Sequence, residues 1–514
     1  MPVPARQSDA SSVARRRWRI AGQVQGVGFR PFVYRSAMDQ GLTGWVRNDA
    51  QGVTIEAQGD LDALSRFGRA LEAQLPPLAA VTSIELHHAP VVAGESAFTI
   101  AQSGADRSQP DRQTGVTVDA AVCAPCLHEL FDADDRRHRH PLLNCTNCGP
   151  RYSIIRRVPY DRPNTSMARF AMCDHCAAEY HTPSDRRFHA QPTACNDCGP
   201  TVSLVSPGGE VLADDAIKAA GALLTGGGIV AVKGLGGFHL AARADDPAAV
   251  ERLRVGKRRN AKPFAVMTRS LDAARTLVSL SDDAARLMAS PVCPIVLAPR
   301  SGVCRLAENV APGMHRLAVM LPYTPIHHLL FDAMPIDVLV MTSGNVSDEP
   351  LAIDNDEAIA RLGGMCDALL LHDRPIVRAV DDSVVIDLPD GPMPVRRARG
   401  YVPVRLPLPD AAAQRVPNGL CLGGELKNTA AVVREGAVIV SQHLGNLRHP
   451  ASFEAFKAAV NDLQQLFDIQ PRWIAHDLHP DYVSTGWARE LSRRTGLPLV
   501  AVQHHHAHAA SLLA

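Results

Sequence analysis

The chain has 514 residues, too many for one hydrophobic core, so three or four domains are expected. Apolar residues make up 46%, enough to build globular domains and too many for general disorder. Lys plus Arg and Asp plus Glu both number 53, so no global field favours nucleic acid or a membrane surface, and no apolar run reaches the roughly 18 residues of a spanning helix.

Residues 1–14 are mostly Ser, Ala, Pro and Arg without periodicity, and a disordered tail is expected there. Arg17–Val24 has the pattern of a strand. Gln25-Gly-Val-Gly-Phe-Arg30 follows, then a helical pattern through Tyr34, Ala37 and Met38. A glycine-bearing loop between a strand and a helix start makes an anion cradle. Gly26 and Gly28 bring backbone N–H groups close, the helix N-terminus favours negative charge, and Arg30 adds a fork for phosphate oxygens. Gly44–Asn48 reads as another strand, with Asn48 able to hold a water. A helix near 61–75 and strands near 84–88 and 97–101 complete the unit. This stretch, residues 15–102, resembles the acylphosphatase family: Val24-Gln-Gly-Val-Gly-Phe-Arg30 matches its phosphate loop (Gln25, Gly26, Val27, Gly28, Phe29) and catalytic arginine, and Asn48 its water-positioning asparagine. The resemblance implies a ferredoxin-like α/β sandwich that hydrolyses an acyl phosphate. Residues 103–118 are polar and aperiodic, and a linker is expected.

Four Cys-x-x-Cys pairs follow: Cys123/Cys126, Cys145/Cys148, Cys173/Cys176 and Cys195/Cys198. A shift of 50 residues lays Asp135-Arg-Arg137 on Asp185-Arg-Arg187 and Cys145-Thr-Asn-Cys-Gly-Pro150 on Cys195-Asn-Asp-Cys-Gly-Pro200, so residues 119–204 are an internal duplication. Four thiolates suit a closed tetrahedral zinc site, and two structural zincs are expected, paired within each copy or across the two. Gly149 and Gly199 are read as allowing the tight turn after each second pair. The duplication carries ten Arg and no Lys against ten acidic residues, unlike a basic DNA-binding array. No signal peptide is expected, and reduced thiols suit the cytoplasmic location expected here. Cys293, Cys304, Cys366 and Cys421 are scattered and read as incidental.

From Ser206 the character changes. A helix near 214–224 precedes a glycine turn and a buried strand ending in Lys233. A second glycine turn, Gly236-Gly237, leads to a basic run, Arg252, Arg254, Lys257, Arg258, Arg259 and Lys262, closed by a strand at 263–267. Val338–Ser343 is a strand ending in small polar residues, and Asp381-Asp-Ser383 and Arg396-Arg-Ala-Arg399 complete the polar set. Residues 205–400 resemble the YrdC family, α/β proteins that make carbamoyl-type adenylates from ATP. Lys257, Arg259 and Lys262 match its basic signature, Ser343 and Asn345 its Ser/Thr-x-Asn element, and Lys233, Asp382, Ser383 and Arg397 fall at positions that line the nucleotide pocket. Cations suit that chemistry, because a carboxylate-like oxygen attacking an α-phosphate brings two anions together, and magnesium with ATP would help pyrophosphate leave. No Walker A motif is present.

Residues 401–418, rich in Pro, Ala and Arg, read as a linker. A hairpin is expected around Leu420 and Ala431–Val433, strands at 474–477 and 499–502, and then a helix carrying His504 and His508 one turn apart, a workable metal pair. Residues 419–514 resemble the first lobe of the TsaD carbamoyltransferase family, actin-like (ASKHA) ATPases whose His-x-x-x-His ligands match His504 and His508; the metal implied is Zn or Fe. The second lobe, with its nucleotide loops, is missing from these 514 residues, so a fragment is expected, or a last step lost or supplied by another chain. The order of the four modules resembles the HypF family, [NiFe]-hydrogenase maturation carbamoyltransferases. That implies a relay from carbamoyl phosphate through carbamate and carbamoyl adenylate to a cysteine of the partner HypE, with neither nucleic acid nor membrane involved. Two rivals stand beside it: a threonylcarbamoyl-adenylate enzyme of tRNA modification, and a non-catalytic zinc scaffold.

Overall fold

The computed structural model describes residues 13–49, 52–101, 116–302, 305–346 and 349–512. Most of the expected tail and of the 103–118 linker lies outside them, as does Cys304. Two compact units are present: residues 1–115 with 145–147 and 172–193, and residues 116–144, 148–171 and 194–514.

In the first unit, β1 (Val13–Gln23), α1 (Phe29–Asp39), β2 (Thr43–Asp49), β3 (Gly52–Asp60), α2 (Leu61–Ala73), β4 (Ala80–Ala89) and β5 (Phe98–Ile100) build one sheet in the order β4-β1-β3-β2-β5. Val13 and Ala14, read as tail, open β1 and pair with Asp60 and Gly59. Alternation sets the two faces: Trp18 and Ile20 are buried, whereas Arg19 is exposed. Trp18 meets Phe67 of α2 edge-on at 5.3 Å, and Val33 and Ala37 bury the inner stripe of α1. This is the expected ferredoxin-like sandwich. β3 was not anticipated.

The duplication is visible in the backbone. Helices Ala124–Phe131 and Asp174–His181 begin and end 50 residues apart. Asp135 and Asp185 each accept from the amide two residues on at 2.7 Å, and Arg139 and His189 share a left-handed backbone, φ 56° and 53°. Gly149 also has a positive φ, 89°, but Gly199 does not; an added Cβ there would lie 2.7 Å from the Cys195 carbonyl oxygen, so close approach requires that glycine.

The second unit contains an eleven-stranded mixed sheet. Its central strands are Ala265–Thr268, Val338–Ser343, Phe238–Arg243, Val230–Lys233 and Ala368–His372. Alternate residues feed two cores: Ala231 and Leu240 enter one, Val230, Val232 and Ala241 the other. Burial on both faces explains why these strands read as continuous apolar runs. A six-stranded sheet follows, in the order Arg405–Pro407, Ala437–Val440, Ala431–Arg434, Gly419–Cys421, Ile474–Asp477 and Leu499–Val502, with helices Pro450–Leu466 and Val483–Thr495. Two stretches read as linkers prove structural: Arg405–Pro407 pairs with Ala437–Val440, and Val116 and Val402 join a core with Phe456, Leu463 and Ile474. No helix among the described residues is long and apolar enough to cross a membrane.

Candidate functional site

The loop after β1 is shaped by its glycines. Gly26 and Gly28 hold φ 71° and 75°, in the left-handed region, and Gly28 caps α1. Buried Val27 and Phe29 pin the loop from below. Gln25 Nε2 donates to the Asp49 and Gly52 carbonyls at 2.9 and 2.7 Å, which draws the loop against the strand end carrying Asn48. Asn48 is buried and its Oδ1 has no hydrogen-bond partner, which leaves an acceptor for a water. Arg30 occupies the first turn of α1. An added Cβ at Gly28 would sit 3.0 Å from Asn147 Oδ1 and 3.3 Å from the Thr146 Cβ, so the Cys145–Cys148 knuckle buttresses the loop.

The eight cysteines form two groups, Cys123, Cys126, Cys145 and Cys148, and Cys173, Cys176, Cys195 and Cys198. Within each, the four sulfurs lie within 4.8 Å of one another. Pairing is therefore within each copy, and the cross-paired alternative is excluded. Cys126 and Cys148 sulfurs are 3.5 Å apart and Cys195 and Cys198 3.8 Å. Tetrahedral zinc–thiolate bonds of about 2.3 Å would set sulfurs about 3.8 Å apart, so the donors fit zinc.

A cavity of about 420 Å³ opens in the second unit, a size typical of small-ligand sites. Lys257, Arg259, Lys262, Ser343 and Asn345 line it, as the sequence suggests. Lys257 closes helix Pro247–Gly256 and is 1% exposed. Its Nζ donates to the Ser343 and Asn345 carbonyls at 2.5 and 2.6 Å, which fixes the Ser-Gly-Asn turn. Burial, and then the Arg259 charge, push this lysine down to about 7. Of the rest of the basic run, Arg254 is structural: its guanidinium donates to the Asn309, Arg259 and Lys262 carbonyls.

Four predicted positions lie elsewhere than on this cavity. Asp382 is buried between His239 Nε2 at 3.0 Å and Arg399 Nε at 2.8 Å; burial opposes its charge, but Arg399 and His239 hold the carboxyl well below the usual range. Ser383 Oγ accepts from the Ala398 amide and donates to the Arg399 carbonyl. Arg397 donates to the Tyr401 carbonyl, and Lys233 donates to Asn355 Oδ1 and the His372 carbonyl. The adjacent residues Asp381 and Arg396, paired at 2.6 Å, face the cavity instead. The carboxy-terminal module supplies the opposite wall through Gln442, His443, Asn446 and Asp462. No motif announced these. Tyr152 Oη donates to Gln442, and Arg378 pairs with Asp462 at 2.7 Å, holding that wall in place.

His504 and His508 share one helix, His504–Ala510, and their Nε2 atoms converge at 3.2 Å. Two imidazole ligands about 2.0–2.1 Å from a tetrahedral metal would be about 3.3 Å apart, so the pair fits two corners of such a site. Asp477 holds His504 from its other nitrogen at 2.6 Å and so stands outside those corners.

Four family models match the chain: Acylphosphatase at residues 16–100, HypF finger at 122–155 and 172–205, Telomere recombination at 222–398, and HypF Kae1-like domain at 414–514. Carbamoyltransferase HypF of Rhodobacter capsulatus is 50% identical over 97% of this chain and 65% of its own length. Carbamoyltransferase HypF2 of Cupriavidus necator is 49% identical over all of this chain and 65% of its own length. A crystal structure of full-length HypF in the phosphate- and nucleotide-bound form superposes with TM-score 0.87 and 41% identity, over 98% of this chain and 65% of that one. The HypF of T. kodakarensis superposes with TM-score 0.88 and 36% identity, over 97% and 64%. The chain thus spans about 65% of the length of the curated relatives it matches.

Proposed function

The chain belongs to the HypF family of carbamoyltransferases, and from that premise we propose that it hydrolyses carbamoyl phosphate, activates the carbamate with ATP, and contributes to passing the carbamoyl group to a cysteine of HypE. We assign residues 15–102, 119–204, 205–400 and 419–514 to its four modules.

In the first step, the amides of Gln25 to Phe29 and the Arg30 guanidinium would stabilise charge on the transferring phosphoryl group, and Asn48 would aim the attacking water. Water takes the phosphoryl group, leaving phosphate and carbamate. In the second, Lys257, Arg259, Lys262 and Arg396 would offset the nucleotide phosphates while a carbamate oxygen attacks the α-phosphorus. The phosphorus–oxygen bond to pyrophosphate breaks, giving carbamoyl adenylate; magnesium accompanies ATP in this reading. In the third, a thiolate would attack the carbamoyl carbon and release AMP. A metal held by His504 and His508 would there supply Lewis-acid polarisation. Two structural zincs would hold the cysteine groups, and a reducing, cytoplasmic setting suits eight undisulfided thiols. The synthesis of hydrogenase cyanide ligands would follow downstream.

The observation that carries this reading is the cavity in which Lys257, Arg259 and Lys262 converge on the Ser343–Asn345 turn, in one chain with the glycine loop, Arg30 and Asn48. The test is release of pyrophosphate from ATP upon addition of carbamoyl phosphate. Release that needs no threonine and is abolished in Arg30→Ala, but restored there by fresh carbamate, is the expected result. Release that depends instead on threonine and bicarbonate would reassign the chain to threonylcarbamoyl-adenylate synthesis.

A further inference from the structure

Tyr152 has no counterpart in the second half of the duplication. A shift of 50 residues lays Cys148-Gly-Pro-Arg-Tyr152 on Cys198-Gly-Pro-Thr-Val202. The second copy gathers its own four cysteines with a valine at that place, and Val202 pairs with His372 in the eleven-stranded sheet. A tyrosine is therefore not needed to build a cysteine group. Tyr152 is nonetheless 1% exposed, packed in a core with Leu420 and Phe456, and the partner of its oxygen among the described residues is Gln442 Oε1 at 3.1 Å. Burial raises the phenol above its ordinary value against the pull of the Arg378 charge, so the ring keeps its proton and donates it.

The backbone that carries the ring is held on both sides. Asp119 accepts from the Arg151 amide at 2.6 Å and from the Ser153 amide at 3.1 Å, and the Ser153 carbonyl accepts from the Val377 amide at 2.7 Å. The Arg378 guanidinium donates to the Tyr152 carbonyl at 3.3 Å and lies 5.3 Å from the centre of its ring. Gln442 is 6% exposed and lines the cavity of the Lys257 cluster. Were its amide reversed, Nε2 would face the phenol oxygen and the buried phenol proton would lose its acceptor, a cost that the observed orientation avoids. Oε1 is thus committed to Tyr152. Nε2, with no hydrogen-bond partner among the described residues, is the end left for the cavity.

We propose that Gln442 is a specificity-determining donor to an uncharged acceptor on the nucleoside half of the bound nucleotide, and that Tyr152 is the positioning residue that turns Nε2 toward it. Lys257, Arg259, Lys262 and Arg396 already offer charged partners to phosphates in this cavity, so a neutral amide N–H suits a neutral acceptor. Leu444, Ala455 and Ala459 continue the wall to which Gln442 belongs, an apolar surface fit for a base or a ribose. The choice of a nucleotide as ligand rests on the reading given under Proposed function; the direction of the amide does not.

Two probes separate the halves of the ligand: an ATP analogue with a methylene bridge between its α- and β-phosphates, and inorganic tripolyphosphate, which lacks base and ribose. Calorimetric titration of the full chain with magnesium measures both. Tyr152→Phe is expected to weaken the analogue by roughly three- to tenfold and to leave tripolyphosphate unchanged. A wall that merely sagged would weaken both. Gln442→Met should weaken the analogue by about the same factor, and Tyr152→Phe should add nothing in that background, because it acts through the amide. No loss in Tyr152→Phe, equal losses for the two probes, or a loss that persists undiminished beside Gln442→Met would overturn the positioning role. Unchanged analogue affinity in Gln442→Met would overturn the donor, and this variant, which alters the cavity wall alone, decides if Tyr152→Phe does not fold. A wild-type chain that binds neither probe would refute the nucleotide reading instead, and the donor role with it.

Discussion

Asp477 Oδ2 accepts from His504 Nδ1 at 2.6 Å, and that bond decides which nitrogen His504 turns toward His508. With Nδ1 protonated and committed, Nε2 carries the lone pair. Asp477 is itself fixed, because its other oxygen accepts from the His479 amide at 2.9 Å. Asp477→Asn is therefore expected to weaken cobalt binding to the His504/His508 pair by roughly 10–100-fold without lowering the melting temperature. Equilibrium dialysis of the full chain, with both cysteine sites already loaded with zinc, measures it. Unchanged affinity would mean that the bond merely decorates the helix.

Lys257 should report on nucleotide binding through protons. Its folded value of about 7 lies below the ordinary lysine value, so above pH 7 it is mostly neutral in the empty cavity. Phosphates entering beside it favour the charged form, so at pH 8 binding should be accompanied by proton uptake, of up to about one proton. Calorimetry in buffers of different ionisation enthalpy reads this directly, and Lys257→Met should remove it. The same shift has a sign for stability. Between about pH 7 and 10.5 the unfolded chain binds more protons than the folded one at this site, so its contribution becomes more favourable as pH rises through that window. No proton uptake in the wild type would place the phosphates away from Lys257.

The cysteine grouping makes a stoichiometric prediction. A chain with two within-copy sites binds two zinc ions. Cys126→Ser and Cys148→Ser should each remove one and the same ion, leaving the Cys173/Cys176/Cys195/Cys198 site filled. Metal analysis with thiol titration counts both. A variant that empties half of each site would contradict the grouping.

Gly28→Ala tests the loop. The backbone at φ 75° disfavours any side chain, and the new methyl would lie 3.0 Å from Asn147 Oδ1. A stability loss of about 1–2 kcal/mol is expected, with a larger proportional loss of phosphate affinity than of stability, since the amides that would hold the anion are those displaced. Phosphate titration followed by thermal melting separates the two effects.

Much of this was legible in the residues. Short-range chemistry announces itself: the Cys-x-x-Cys pairs gather into two groups, the glycine loop joins β1 to α1, and Lys257, Arg259 and Lys262 line one cavity. β3 was missed although Val53, Ile55 and Ala57 alternate with Thr54, Glu56 and Gln58, a period-two strand signal that went unread; what the sequence hides is that the polar members are buried as well, Glu56 being satisfied inside by Arg15 at 2.8 Å and by Arg17. Asp382 and Arg397 were chosen over Asp381 and Arg396 because neighbours in a run of like residues differ only in the face they take, which long-range pairing decides. The far wall of the cavity, from Gln442 to Asp462, was invisible because it is recruited from another module by Tyr152 and Arg378.

The contact between Gly28 and the Cys145–Cys148 knuckle has a thermodynamic consequence. The Asn147 amide donates to Cys145 Sγ at 3.4 Å, Thr146 Oγ1 donates to the Arg186 carbonyl at 2.9 Å, and the side chains of Thr146 and Asn147 stand where a Cβ at Gly28 would meet them. A metal that ordered Cys145 would thereby order the loop, which would make ion and oxyanion binding linked equilibria. Whatever factor the ion contributes to phosphate affinity, phosphate must return to the ion. Metal supply would then set the output of the amino-terminal module without any zinc reaching its reacting atoms.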